Sequence, residues 1–334
     1  MRVGLVLGAG GVLGGAWHVG ALDAIAAETG WDPGSADHLV GTSAGSMIAA
    51  LLAAGVPPWF MRAHSAGETF EGLLDAEGNP AHEADRSGGA VFRPHIGLTR
   101  PGPASWSLAL RTLRDPLRHT PTAFAAGWLP EGIISTEPLK RQVRRVVPRG
   151  WSAHPALWIV ACDYATGRRV AFGRDDAPPA ELADAVAASC AIPGFYRAVR
   201  IGGRRYVDGG VYSISNADVL RGRDLDLVIV CNPMSGRPGV AKRLRREAER
   251  LLREGTDVVL LEPRRPLGGN LMSRARRNAV MAQAFDEVAE AVRARRAQLA
   301  GLPQGEPVAV RRPADATPEV WMRLREDVLA ARAA

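Results

Sequence analysis

Two short apolar runs, RVGLVL at 2–7 and HLVGTS at 38–43, each end in a glycine-rich turn that passes straight into a helical pattern, 16–28 and 44–55. Runs of this length are short for a helix and too apolar for a surface strand, so both read as buried strands. Strand, turn, helix, strand, turn, helix in that order predicts parallel strands joined by right-handed crossovers, and so restricts the chain to the α/β class. A chain of 334 residues is long enough to bury a sizeable core.

The alternation resumes further on. Segments 157–164, 204–210, 225–233 and 257–263 read as strands or strand ends, and 181–192, 241–254, 273–299 and 317–332 as helices. Between 66 and 104 the chain is rich in Gly, Pro, Ala and Glu without periodicity, and from 106 to 147 it is mostly helical. This pattern predicts one domain over 1–263 with a lid or insertion at 66–128, and a helical extension over 264–334 packed on the same domain.

The formal net charge is +7, concentrated in the arginine-rich runs 140–149, 242–253 and 274–277. Glu247 and Glu249 interleave with these arginines, which reads as solvated helix faces, and no nucleic-acid motif accompanies them. No nucleic-acid partner is expected. Cys162, Cys190 and Cys231 lie in apolar segments without metal-ligand spacing, which predicts buried, reduced thiols in a cytoplasmic protein and no metal. The N-terminus imitates a secretory signal, but its glycines fall in a structural pattern. No apolar run reaches the ~20 residues that span a bilayer.

The chemistry centres on Gly41-Thr42-Ser43-Ala44-Gly45. G-x-S-x-G at a strand-to-helix turn lifts a serine hydroxyl clear of the chain, and the small neighbours Gly41 and Gly45 avoid collision with strand and helix. The helix N-terminus favours developing negative charge, and the Ala44 N–H is placed to donate to an oxyanion. The alternative is a plain small-residue helix cap. Chain order argues against a histidine base, because all seven histidines lie at or before His154 while the usual triad needs one well downstream. Asp208 in YVDGG, followed by Gly209 and Gly210, ends a strand; on a parallel sheet it would share an edge with Ser43 and take its proton directly. The glycine-rich turn LGAGGVLGG at 7–15 opens the first helix, so Gly10, Gly11 and Val12 can aim N–H groups at an anion. That turn is also where a dinucleotide would bind, although the second strand ends Gly-Thr-Ser where a ribose-binding acid is expected.

Taken in order, the glycine loop at 8–14, the elbow at 41–45 and Asp208-Gly209-Gly210 resemble the patatin-like phospholipase family. HVGAL at 18–22, ASCAIPGFYRAV at 188–199 and DGGVYSISNADVL at 208–220 look like the family too. The resemblance covers roughly 1–232 and extends toward the strand near 263. It implies a single domain with a central, mostly parallel sheet between helical layers, α/β/α. It also implies hydrolysis of lipid esters by a Ser43-Asp208 dyad through an acyl-enzyme. Gly10, Gly11, Val12 and Ala44 would form the oxyanion hole, and Asn216 would support the Asp208 loop. No cofactor or metal is implied. One departure stands out: the family's loop usually carries Arg or Lys shortly before its last glycine, where this chain has Leu13 or Gly14, and the loop is one residue longer.

The segment 66–128 would form an acyl channel or lid. Its Trp106, Leu108, Leu110, Phe124 and Trp128, beside Arg111, Arg114 and Arg118, would touch an anionic membrane, placing the chain peripherally at the inner membrane surface. Two other readings stay open. A catalytically silent lipid-binding or regulatory protein accommodates the altered loop, and a nucleotide-binding oxidoreductase uses 8–14 but leaves Ser43 and Asp208 unexplained.

Overall fold

The fold is that of a computed structural model, which describes residues 1–67, 92–94 and 102–303. Among the described residues eight strands form one sheet: β1 Val3–Leu7, β2 His38–Thr42, β3 Leu157–Asp163, β4 Arg169–Phe172, β5 Val199–Ile201, β6 Arg204–Asp208, β7 Leu227–Cys231 and β8 Asp257–Leu261. The helices are α1 Gly11–Thr29, α2 Ala44–Ala53, α3 Pro58–Ala66, α4 Trp106–Arg114, α5 Pro121–Trp128, α6 Glu137–Arg144, α7 Leu182–Ser189, α8 Pro238–Leu252, α9 Arg277–Ala294 and α10 Arg296–Leu299.

The central order β8-β7-β1-β2-β3 is parallel throughout. β1, β3 and β7 are buried along their whole length, which is why they appear in the sequence as unbroken apolar runs. A period of two survives inside them. Leu5, Leu7, Leu39, Ile159 and Ile229 face one layer with α1, α2, α7 and α9, whereas Val6, Val40, Val160, Val228 and Val230 face another with Leu244 and Leu251 of α8. This is the expected three-layer α/β/α arrangement.

α1 is apolar on nearly every side and lies deep in the larger layer. α9, from the C-terminal region, packs on it. A Cβ at Gly20 would overlap the Met281 backbone carbonyl, so glycine is what lets the two helix backbones touch. The helix expected over 317–332 and most of the 66–104 excursion lie outside the described residues.

The structure departs from the sequence reading at β6. The expectation was a parallel strand whose C-terminus shares the common edge with Ser43, but β6 runs antiparallel to β3. β3 residues 159–162 pair with β4, so β2, opposite 157–160, and β6, opposite 161–163, share the other edge of β3 in succession. They run in opposite directions, and their C-terminal ends meet head to head. Thr42 lies opposite Val160 and Asp208 opposite Ala161, the next residue along. The overhang of β3 beyond β2 therefore brings Asp208 to Ser43.

Two smaller expectations are corrected. Leu108 is fully buried in a small cluster under α4 and α5, so it is not part of an outward face. Glu247 of α8 is also buried and does not belong to a solvated stripe.

Candidate active site

Ser43 caps α2 with φ 53° and ψ −121°, one of three non-glycine residues with positive φ among those described. Such a conformation persists only where surroundings enforce it. Three contacts do so here. The Ser43 N–H donates to Ser189 Oγ (2.8 Å), the Ser189 hydroxyl donates to the Val160 carbonyl (2.6 Å), and the Ser46 hydroxyl donates to the Ser43 carbonyl (2.6 Å). The glycines on either side are steric requirements. A Cβ at Gly41 would lie 2.7 Å from the Gly45 carbonyl oxygen and 2.8 Å from Ser46 N, and one at Gly45 would overlap the Leu7 carbonyl.

Asp208 is 6% exposed and lies against the Ser43 hydroxyl. Burial raises its carboxyl to about 6, opposed by the nearby Ser43 hydroxyl and by the hydrogen bond from the Gly210 N–H to Oδ1 (2.7 Å). Gly209 and Gly210 form a short 3-10 turn immediately after it. A Cβ at Gly209 would overlap the Val160 carbonyl and sit 3.1 Å from Thr42 Cγ2, so glycine permits the head-to-head meeting of β2 and β6.

α1 begins at Gly11, inside what the sequence presents as a loop. Gly11 has φ 62°, a conformation glycine adopts freely. A Cβ at Gly10 would lie 2.6 Å from Gly14 Cα and 2.8 Å from Pro233 Cγ, so this turn is pressed against its surroundings. The N–H groups of Gly10, Gly11 and Val12 find no acceptor among the described residues, nor does that of Ala44. The Leu13 N–H is committed to the Leu271 carbonyl (3.0 Å), and its side chain is fully buried in the core. His18 Nε2 donates to the Gly8 carbonyl (2.7 Å), which fixes the start of the turn; burial lowers this imidazole to about 4 and keeps it neutral.

Gly11, Val12, Ser43 and Ala44 line one pocket of about 110 Å³, with apolar walls that include Met47, Leu139, Ile192 and Met272. Arg277, at the start of α9, is the one charged residue lining it among those described.

Asn216, which the resemblance offers as a support for the Asp208 loop, stands at the start of the short 3-10 turn 217–220. It adopts φ 55°, donates to the Ser213 carbonyl (2.6 Å) and Thr42 Oγ1 (3.1 Å), and so ties the segment after Asp208 to the end of β2. Beneath it lies a residue the motifs did not reveal. The buried Glu247 carboxylate accepts from the Ser213 hydroxyl (2.6 Å), the Ser215 hydroxyl (2.5 Å) and the Ala217 N–H (3.0 Å). Glu247→Ala is expected to destabilise the protein by about 3 kcal/mol and to lower ester turnover, because two hydroxyls and an amide lose a buried acceptor. Thermal melting and turnover check it; an unchanged midpoint would contradict this role. Ser189 and Cys190 were also missed as site neighbours. The Cys190 thiol lies 3.7 Å from Ser46 Oγ, and burial pushes it up to about 12, so it is held as a neutral thiol. Among the described residues no group of His, Cys, Asp or Glu has the arrangement of a metal site.

A serine held on a sharp strand-to-helix elbow, beside free N–H groups and an apolar pocket, is the form in which α/β folds host acyl-ester chemistry, so fold and site point to the class of acyl hydrolases. Residues 5–221 match the family described as Patatin-like phospholipase. The chain belongs to that family, whose members hydrolyse lipid acyl esters. Among solved structures it is similar to VipD from Legionella pneumophila, at 16% identity over 88% of this chain and 67% of VipD, with a TM-score of 0.43. It is also similar to the type III effector protein ExoU, at 18% identity over 88% of this chain and 53% of ExoU, with a TM-score of 0.35.

Proposed function

We propose that this protein is a serine acyl hydrolase of lipid esters, of the phospholipase A or lysophospholipase type, with Ser43 as nucleophile and Asp208 as base. One observation carries the reading: the Asp208 carboxyl lies against the hydroxyl of an elbow serine, in a site where no described histidine reaches that serine. Asp208 takes the Ser43 proton as Oγ bonds to the ester carbonyl carbon. The carbonyl oxygen becomes an oxyanion, which the N–H groups of Gly10, Gly11, Val12 and Ala44 stabilise. The alcohol leaves with the proton from Asp208, giving an acyl-enzyme. Water, deprotonated by Asp208, then releases the fatty acid and restores Ser43.

The apolar pocket walls suit an acyl chain. Met47, Ile48 and Leu139 supply no hydrogen-bonding groups that a nucleotide would need. The buried Leu13 leaves the three neighbouring N–H groups free, so the altered glycine loop does not argue for a silent protein. Incubation with phospholipid and lysophospholipid vesicles is expected to release free fatty acid and leave the phosphorylated headgroup on the remaining glycerolipid. Release of a phosphorylated headgroup from diacylglycerol, or no product from either lipid, would overturn the assignment.

A further inference from the structure

The described residues include ten exposed large hydrophobic side chains, and eight of them fall within 106–133. This concentration needs an explanation, because scattered exposed apolar residues are ordinary and contiguous ones are not. The α4–α5 hairpin already has its own core. Leu108, Ala109 and Thr112 face inward, and Gly127 allows α5 to approach to where a Cβ would lie 2.8 Å from Ala109 N. The outward face of α4 carries Trp106, Leu110 and Leu113, spaced four and three residues apart, with exposures from 54 to 57%, opposite its packed face. Leu117, fully exposed, follows in the 3-10 turn 116–118 beyond the helix end.

Aromatic rings join the two helices. Trp106 and Trp128 meet edge to face at 6.3 Å, and Phe124 lies 6.5 Å from Trp128. Three exposed arginines, Arg111, Arg114 and Arg118, border this face and form no ion pair among the described residues, while Asp115 is the only acid in 106–130. The hairpin is also anchored to the site. Thr120 and Thr122 donate to the Val211 carbonyl, three residues after Asp208 (2.7 and 2.5 Å), and Leu129 packs on Gly194, between the pocket residues Ile192 and Tyr196.

We propose that the outward face of the α4–α5 hairpin is the surface by which this protein seats on an anionic lipid bilayer, an inference that rests on the lipid-ester reading of the pocket. Indoles prefer the headgroup level, leucines prefer the acyl region and guanidinium groups pair with lipid phosphates, so the three chemistries of this face match the three layers of a bilayer surface. Seated in this way, the hairpin keeps the Ile192–Tyr196 side of the pocket close to the lipid.

The test uses the full chain in vesicle sedimentation, with vesicles of phosphatidylcholine alone or with phosphatidylglycerol, and follows p-nitrophenyl butyrate turnover in parallel. The wild type is expected to bind the phosphatidylglycerol vesicles about tenfold more tightly than the neutral ones, with the preference weakening in salt. The triple variant Leu110→Ser, Leu113→Ser, Leu117→Ser is expected to lose about tenfold in binding to both vesicle types and to keep its soluble-ester turnover. Arg111→Gln, Arg114→Gln, Arg118→Gln together are expected to erase the anionic preference and retain the neutral binding. Equal vesicle binding by the wild type and the leucine variant would overturn the proposal. So would a wild type that ignores vesicles and instead forms a dimer that the leucine variant abolishes. Vesicle binding without turnover of the soluble ester would leave the surface standing and remove the hydrolase reading.

Discussion

Alanine at Ser43 is expected to lower kcat for p-nitrophenyl ester hydrolysis by about 10⁴-fold or more, with a thermal midpoint within a few degrees of the wild type. The effect is large because no neighbour can substitute. The Ser46 hydroxyl is committed to the Ser43 carbonyl, the Ser189 hydroxyl to the Val160 carbonyl, and the Cys190 thiol is held neutral. The midpoint changes little because the strained backbone at Ser43 is imposed by Gly41, Gly45 and Ser189 and not by its own side chain. Turnover and melting of the purified variant check both halves. A variant that keeps most of the wild-type rate would remove Ser43 from the mechanism.

Asp208→Asn is expected to lower kcat by about 10³-fold to 10⁴-fold, since asparagine accepts the Gly210 hydrogen bond but takes no proton. The pH dependence has a definite direction. Burial raises Asp208 to about 6, and only the ionised carboxylate acts as base, so wild-type kcat/KM should rise through about pH 6 and level off above it. The variant should lose that rise. Stability moves the opposite way. The folded state holds the Asp208 proton more tightly than the unfolded chain does, so the favourable contribution is complete below the unfolded value of 3.8 and is lost as pH rises through about 6. A rise of about two units, at ~1.4 kcal/mol per unit, means that the ionised group costs up to about 3 kcal/mol at pH 8. Asp208→Asn should therefore melt no lower than the wild type at pH 8 and lose this advantage near pH 4. Under the proposed mechanism position 208 is set by chemistry and not by folding, and the melts at pH 8 and pH 4 test this.

The parallel centre of the sheet was legible because burial on both faces writes β1, β3 and β7 as unbroken apolar runs bounded by glycine or proline. The elbow was legible for a related reason: a close backbone approach tolerates only glycine, so Gly41 and Gly45 mark the turn directly. What escaped was long-range or lacked a local signature. β4 and β5 are short, and each is marked by an arginine, half-buried Arg169 at the start of one and exposed Arg200 in the middle of the other, which leaves no run to detect. The antiparallel course of β6 depends on which edge of β3 lies open, a property of the assembled sheet. α1 begins four residues inside a glycine loop because its first turn is held by Pro233 and Leu271 from distant parts of the chain. Glu247 sits in an arginine-rich helix, where charge pattern points to solvent, and its burial follows from the donors that meet it there, Ser213, Ser215 and the Ala217 N–H after Asp208 and Arg243 on its own helix. Leu108 and Leu110 have the same side chain two residues apart, yet one faces α5 and the other faces out.

The most direct test of the Ser43-Asp208 account is to treat the folded wild type with a fluorophosphonate probe and locate the adduct by peptide mass mapping, with Asp208→Asn run beside it. The account predicts a single adduct on Ser43 that forms readily in the wild type and far more slowly in Asp208→Asn. An adduct on any other serine, or equal labelling rates in the two proteins, would contradict it.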